Sequence, residues 1–207
     1  MRNIFIVGVI VVLTGCVTQP VKKDMSAFIA AAPRSILIVP VINKSLDVDA
    51  SNYVLSTLPV PVAEKGYYVF PVNTTKFVLE QEGFYEGDRI HNEPPAVLAK
   101  LFDADAILYV TINRWDAKYV VISTAVTVEF EYRMVSKDGT EIWREKKTMV
   151  YSPDQNNSGG LLGMLMSAAI ARAAPNYMPL TQQANREVFL LSPNAPPNGP
   201  YRVAKIK

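Results

Sequence analysis

Ser35-Ile36-Leu37-Ile38-Val39-Pro40-Val41 is a short apolar run, rich in β-branched residues and with almost no polar interruption. A strand with one wet face would alternate, and this one does not, so both its faces must be covered, as in the parallel core of an α/β sheet. Ala106-Ile107-Leu108-Tyr109-Val110-Thr111-Ile112 has the same character, and Tyr67-Tyr68-Val69-Phe70-Pro71-Val72 reads as a further strand. The stretches between them read as helices. Ala50 to Lys65 carries helical spacing but must kink or restart at Pro59 and Pro61. Asn73-Thr74-Thr75 can cap a helix ending near Gly83, and Pro94-Pro95 pre-set the first turn of another over Ala96 to Phe102.

This alternation predicts a βαβαβ order with helices packed on a partly parallel sheet. The pattern then changes to two long β-rich runs, Tyr119 to Val135 and Thr140 to Tyr151, joined by Ser136-Lys137-Asp138-Gly139. Asp-Gly is a strong hairpin signal. Val126, Val128, Phe130 and Tyr132 form an apolar face while Thr127, Glu129, Glu131 and Arg133 take the wet one, which places this antiparallel hairpin at an edge of the sheet. The expectation is therefore one α/β domain over residues 35–192, with a mixed sheet of about five strands flanked by helices. Leu180 to Leu191 reads as its final helix. Ser192 to Lys207, with Pro193, Pro196, Pro197 and Pro200, reads as a tail without regular structure, its Pro-rich part running over 193–207.

The chain has 207 residues with 21 Lys+Arg against 19 Asp+Glu, and a net charge of +2 leaves no basic face for nucleic acid. A single cysteine cannot make an internal disulfide, so the compartment has to be read from the N-terminus. There Arg2 is followed by ten apolar residues from Ile4 to Leu13 and then small residues, the order of a secretory signal peptide over residues 1–15. As a helix that apolar run reaches only about 15 Å, half of a bilayer core. Leu13-Thr14-Gly15-Cys16 resembles the bacterial lipobox. The resemblance implies cleavage between Gly15 and Cys16, a diacylglyceryl group on the Cys16 sulfur and acylation of the new amine. Several acyl chains anchor stably where one does not. Val17 stands where enterobacterial lipoproteins retained in the inner membrane carry aspartate, which implies the outer membrane. Residues 16–34 then form a lipidated cysteine and its tether, reaching at most about 60 Å.

A second candidate interaction element is Leu161 to Ala174. Gly159, Gly163, Ser167 and Ala171 recur every fourth position and would share one helical face, allowing close approach of another backbone. The helix would be too short to span a bilayer. It can be buried on the chain's own sheet, lie in an oligomer interface, or contact the membrane.

Chemistry is sparse. His91 is the only histidine and reads as a surface-loop residue ahead of Pro94-Pro95. No nucleophile elbow, P-loop or zinc-protease motif occurs. Asp47-x-Asp49-x-Ser51 begins like a calcium loop, but Asn52 and Leu58 stand where its glycine and closing glutamate belong. Asp103 and Asp105 read as turn or cap residues, and Trp115 and Trp143 as packing residues. No cofactor is expected beyond the lipid on Cys16.

Several stretches together resemble a family of bacterial outer-membrane lipoproteins of unknown function that includes a meningococcal surface-antigen candidate. They are Ser26-Ala27-Phe28, Pro33-Arg34-Ser35-Ile36-Leu37-Ile38-Val39-Pro40, Leu55-Ser56-Thr57-Leu58, Gly66-Tyr67-Tyr68-Val69, Ala104-Asp105-Ala106 and Asn156-Asn157-Ser158-Gly159-Gly160-Leu161-Leu162-Gly163-Met164-Leu165. Asp103 departs from the family at a turn where glycine is expected. The family is similar in fold to the TolB N-terminal domain and to LpoB, and its members tend to be encoded beside a CsgG-like lipoprotein. The resemblance thus implies a periplasm-facing, non-catalytic binding or scaffold role in an envelope assembly, with transport or export as one task, a CsgG-like partner, and self-association as a further option. The alternatives are an envelope enzyme acting on peptidoglycan or lipid, and a pore subunit.

Overall fold

The two apolar runs are neighbours in space. β1 (Ser35–Ile38) lies parallel to β4 (Ala106–Val120), with Ile36, Leu37 and Ile38 opposite Ala106, Ile107 and Leu108. The structure, a computed structural model, describes residues 23–120, 123–151 and 177–203. Pro40 has no N–H to give to a ladder, and the strand breaks there. It resumes as β2 (Ile42–Asn43), which pairs with Thr111 and Ile112 further along β4. On the other side of β1, Tyr68 and Val69 of β3 (Tyr68–Val69) lie parallel to Ser35 and Ile36. β5 (Ser123–Ser136) and β6 (Glu141–Tyr151) complete a mixed six-stranded sheet in the order β3-β1-β4-β5-β6, with β2 following β1 along β4, antiparallel beyond β4.

Alternate residues of the central strands feed two separate cores. Ile36, Ile38, Ala106, Leu108, Val110 and Ile112 point to one, whereas Leu37, Val39, Ile107 and Tyr109 point to the other. The first is closed by α1 (Ser26–Ala31), α2 (Ala50–Thr57), α3 (Pro59–Glu64) and α7 (Met178–Arg186), which runs on into a π-helical turn over Glu187–Leu191. The second is closed by α4 (Val72–Gln81), α5 (Gly87–Asn92) and α6 (Pro95–Phe102). The expected α/β domain with helices on a mixed sheet is the observed fold. The expected break in Ala50 to Lys65 falls between α2 and α3, with Pro59 as the first residue of α3, where its missing N–H costs nothing.

The hairpin is half-wet as its pattern predicts. Val126, Val128, Phe130 and Tyr132 are fully buried, and Glu131 on the opposite face pairs with Arg144 and Lys146 of β6. Thr127 is an exception and is buried. In the turn, Gly139 has a φ of +92°, and the Asp138 carboxylate accepts from the Ser136 hydroxyl and the Thr140 N–H.

Four features differ from the sequence reading. Tyr119 to Val135 is not one strand: β4 continues to Val120, which pairs with Ser123 of β5, so a second hairpin precedes the expected one. The arms share one alternating pattern, so no change of period marks the turn. Residues 87–92 form a helix, α5, that buries only Ile90 and is too short to show periodicity. The expected tether ends early, because Ser26–Ala31 is helical and Phe28 packs edge-on against Tyr67, 6.1 Å between centroids. The Pro-rich tail has no helix or strand over 192–203, yet it is fastened along its length. Trp143 Nε1 donates to the Asn194 carbonyl at 2.9 Å, the Tyr67 hydroxyl to Pro197 O at 2.5 Å, and Gly199 N to Lys65 O at 2.9 Å. Proline excludes ladder pairing but leaves carbonyls free to accept. Asp103, where glycine is expected, has a φ of +52° as the left-handed cap of α6, a conformation that aspartate tolerates better than most residues.

One buried polar chain ties the layers together. The Tyr132 hydroxyl donates to Asn185 Oδ1 at 2.6 Å, Asn185 Nδ2 to Thr57 Oγ1 at 2.8 Å, and Thr57 Oγ1 to the Val54 carbonyl at 2.7 Å. It joins β5, α7 and α2 with no exposed member. Asn185→Ala would leave the Tyr132 hydroxyl buried and unpaired, so the unfolding free energy should fall by about 1–3 kcal/mol in urea titrations. Adding Tyr132→Phe to that variant should cost little more, since the orphaned hydroxyl is then gone.

Candidate functional site

Gly15, Cys16, Gly159, Gly163, Ser167 and Ala171, the residues that the sequence singles out for cleavage, lipidation and packing, lie outside the described residues. Among the described residues no helix is long and apolar enough to cross a membrane.

His91, the candidate for catalysis, lies in a helix and not in a loop, and it is half-buried. Burial of Ile90 carries it inward on α5, where its Nε2 lies 2.9 Å from the Pro40 carbonyl. A carbonyl only accepts, so Nε2 carries the hydrogen. The imidazole meets Tyr109 edge-on at 4.9 Å, and the Arg133 guanidinium lies 4.3 Å from the centre of the same phenol ring. Burial pushes the His91 pKa down to about 4, reinforced by Arg133 and opposed by the Pro40 carbonyl and Asp88. Burial likewise pushes Tyr109 up to about 12, and its hydroxyl has no partner among the described residues. The cluster thus holds a neutral imidazole whose one N–H is committed to the backbone, which suits packing and leaves no free base at that nitrogen.

Where the sequence offers no signal, the structure places cavities, two of which border the helices and chain ends of the first core. The first, about 340 Å³, lies between α2, α3 and α7, lined by Ser56, Val60, Pro61 and Gln182, with Glu64 and Arg186 3.9 Å apart beside it. The second, about 620 Å³, lies where α1 and the residues before it meet the C-terminal segment, lined by Asp24, Met25, Ile29, Lys65, Pro193 and Pro197 among others.

Beside the second cavity two stretches of backbone cross closely. Gly199 N donates to Lys65 O and Tyr201 N donates to Gly66 O, both at 2.9 Å. Gly66 has a φ of +98°, and a Cβ there would fall 2.5 Å from the Arg202 nitrogen, so only glycine admits the crossing. Arg202 is thereby set beside Lys65. Burial lowers the Lys65 pKa, and the Arg202 charge lowers it further. On the same side, Lys23 donates its backbone N–H to Asn194 Oδ1 at 3.1 Å and pairs through Nζ with Glu145 at 2.8 Å. The start of the described chain and its C-terminal segment are therefore bonded to each other. Sequence reasoning missed Lys65, which reads as the last residue before a helix cap, and Arg202, which reads as part of the tail.

The sequence pattern of the family described as "Putative lipoprotein GNA1162-like" matches residues 23–191. The chain is 32% identical over 188 residues to the Neisseria meningitidis protein described as "Putative lipoprotein NMB1124/NMB1162", covering 89% of this chain and 87% of that one. It is similar to the crystal structure of lipoprotein GNA1162 from Neisseria meningitidis, with a TM-score of 0.58 and 34% identity over 68% of this chain and 98% of that chain. The LpoB C-terminal domain from Escherichia coli is a far weaker likeness, with a TM-score of 0.40 at 17% identity over 57% of this chain and 84% of that chain.

The geometry of His91 fixes the sign of a pH effect. Its pKa is lowered on folding, so the stability it confers is present above the unfolded value near 6.5 and is lost as pH falls towards 4. Denaturant titrations between these limits should show a loss of order 3 kcal/mol from this group in the wild type. His91→Gln removes the titrating proton and should show a correspondingly shallower decline.

Proposed function

The chain belongs to the GNA1162-like lipoproteins, and on that premise we propose that it is a lipid-anchored, non-catalytic binding or scaffold component of a bacterial envelope assembly, held at the outer membrane and facing the periplasm. The observation that carries this reading is Leu13-Thr14-Gly15-Cys16, a lipobox-like site directly after an apolar run, in a chain whose family is one of lipoproteins. On this reading residues 1–15 are removed and Cys16 becomes the acylated first residue. A short tether then leads to the domain.

Support for a non-catalytic role comes from His91. Its ring is packed on Tyr109 and its N–H is committed to Pro40, so the only histidine around which a Ser-His-Asp triad could be built serves the fold. The near-neutral charge argues for protein and membrane partners over nucleic acid. The partner proposed is another envelope lipoprotein of the CsgG-like kind, or a second copy of the chain, and the sequence spacing of Gly159, Gly163, Ser167 and Ala171 suits close packing against either if it forms one helical face.

Cys16→Ala should abolish palmitate labelling in a Gram-negative host and leave the precursor at its full size on gels. Labelling that persists would overturn the anchor. Crosslinking of the intact lipidated protein in its own envelope should yield a second lipoprotein or a self-adduct, and a functional complex containing neither would overturn the scaffold role.

A further inference from the structure

β6 ends the sheet on one side, and its free edge is covered along only half its length. The bond from Ser136 N to Thr140 O, together with the extra residue that the bulge inserts at Ile142, sets the alternation of the β5/β6 ladder. Glu145, Lys147, Met149 and Tyr151 turn their backbone groups towards β5, whereas Arg144, Lys146, Thr148 and Val150 turn theirs off the sheet. Two side chains stand in for a missing strand along the first half. Lys23 Nζ donates to the Arg144 carbonyl, and the Glu145 carboxylate accepts from Lys146 N at 3.3 Å. Beyond them no hydrogen bond among the described residues meets the outward backbone groups of Thr148 and Val150, and both residues are exposed.

Unpaired edge groups are a template for one more strand, and the open stretch Thr148-Met149-Val150 is uncharged with two β-branched residues. Charge selects which strand fits. Lysines keep edges apart where they meet in kind, and pairing two copies about Lys146 or Lys147 would set lysine against lysine. Centred on Thr148, an antiparallel pair of two copies sets threonine against threonine, Lys146 against the second copy's Val150 and Lys147 against its Met149. No like charges meet, and every residue from Lys146 to Val150 is engaged. The contact is isologous, so it closes at two chains.

We propose that the open half of β6 pairs with the same strand of a second copy, antiparallel about Thr148, so that the sheets of two chains become one. This makes specific the second copy that the binding role allows, and it rests on the edge geometry and not on the lipid anchor.

Sedimentation equilibrium of the intact lipidated protein in density-matched detergent tests this and should show a reversible dimer. Thr148→Pro removes an N–H that points off the sheet, a place where an edge strand tolerates proline, and should abolish the dimer. Val150→Lys, at a position 55% exposed, leaves the backbone intact and sets lysine against the second copy's Lys146 twice per dimer, so it should weaken association at least tenfold with no fall in the unfolding midpoint. Adding Lys146→Glu to Val150→Lys should restore most of the affinity. A protein that stays monomeric up to about 1 mM, or a dimer that Val150→Lys leaves unchanged, overturns the pairing. A dimer weakened by Val150→Lys but not restored by Lys146→Glu overturns the register about Thr148. Palmitate labelling of Cys16 is read separately, so a failed anchor and a failed pairing give different results.

Discussion

The parallel pairing of Ile36, Leu37 and Ile38 with Ala106, Ile107 and Leu108 is the contact on which the other elements depend. All six residues are completely buried, and because side chains alternate across a strand the pair must be covered on both faces at once. Neither helical layer can be lost without wetting half of it. The start of the pair is pinned by Asp105, whose carboxylate accepts from the Arg34 and Ser35 N–H groups at 3.0 and 3.2 Å while Ser35 Oγ accepts from Asp105 N at 3.0 Å. Burial alone would raise the Asp105 pKa, but these hydrogen bonds and Lys137 outweigh it and hold it below the usual carboxylate value. A slip of one residue in this register would exchange the two cores, so a reciprocal bond at the first residue of β1 sets the fold.

From that register follows the position of the chain ends. Extending β4 into an antiparallel hairpin carries β6 away from the helical layer of α4 to α6, and only α1, α7 and the C-terminal segment remain to cover its inner face. Trp143 is the hinge of that cover, since it is buried against Phe189 and its indole N–H holds Asn194. Asn194 in turn receives Lys23. The position of Lys23, at the start of the described chain, is therefore set by packing on β6.

What the sequence makes legible follows from how each element is stabilised. β1 and the start of β4 stand out because strands buried on both faces need uninterrupted apolar residues, and the α2/α3 break stands out because proline has a fixed mechanical effect. The extension of β4 through Arg114 and Asp116 is not apolar, and with only Trp115 of that trio buried it gives no core-strand signal. α5 is held by Ile90 and by His91 bonded to a distant carbonyl, contacts that no local pattern encodes. The backbone crossing beside the second cavity is the least legible feature. Lys65 and Arg202 lie far apart in sequence and meet because Gly66 and Gly199 let two backbones touch, a purely tertiary event.

The same alternation divides the hairpin's two faces. α1, α2, α3, α7 and the C-terminal segment all lie on the side of the sheet where Val126, Val128, Phe130 and Tyr132 are buried. The opposite face of β5 and β6 is left to charge, with Arg144 bridging Glu131 and Glu141. Such part-exposed ion pairs add little to stability, so the hairpin is held by its apolar face, and the charged face carries no packing that a partner would have to displace.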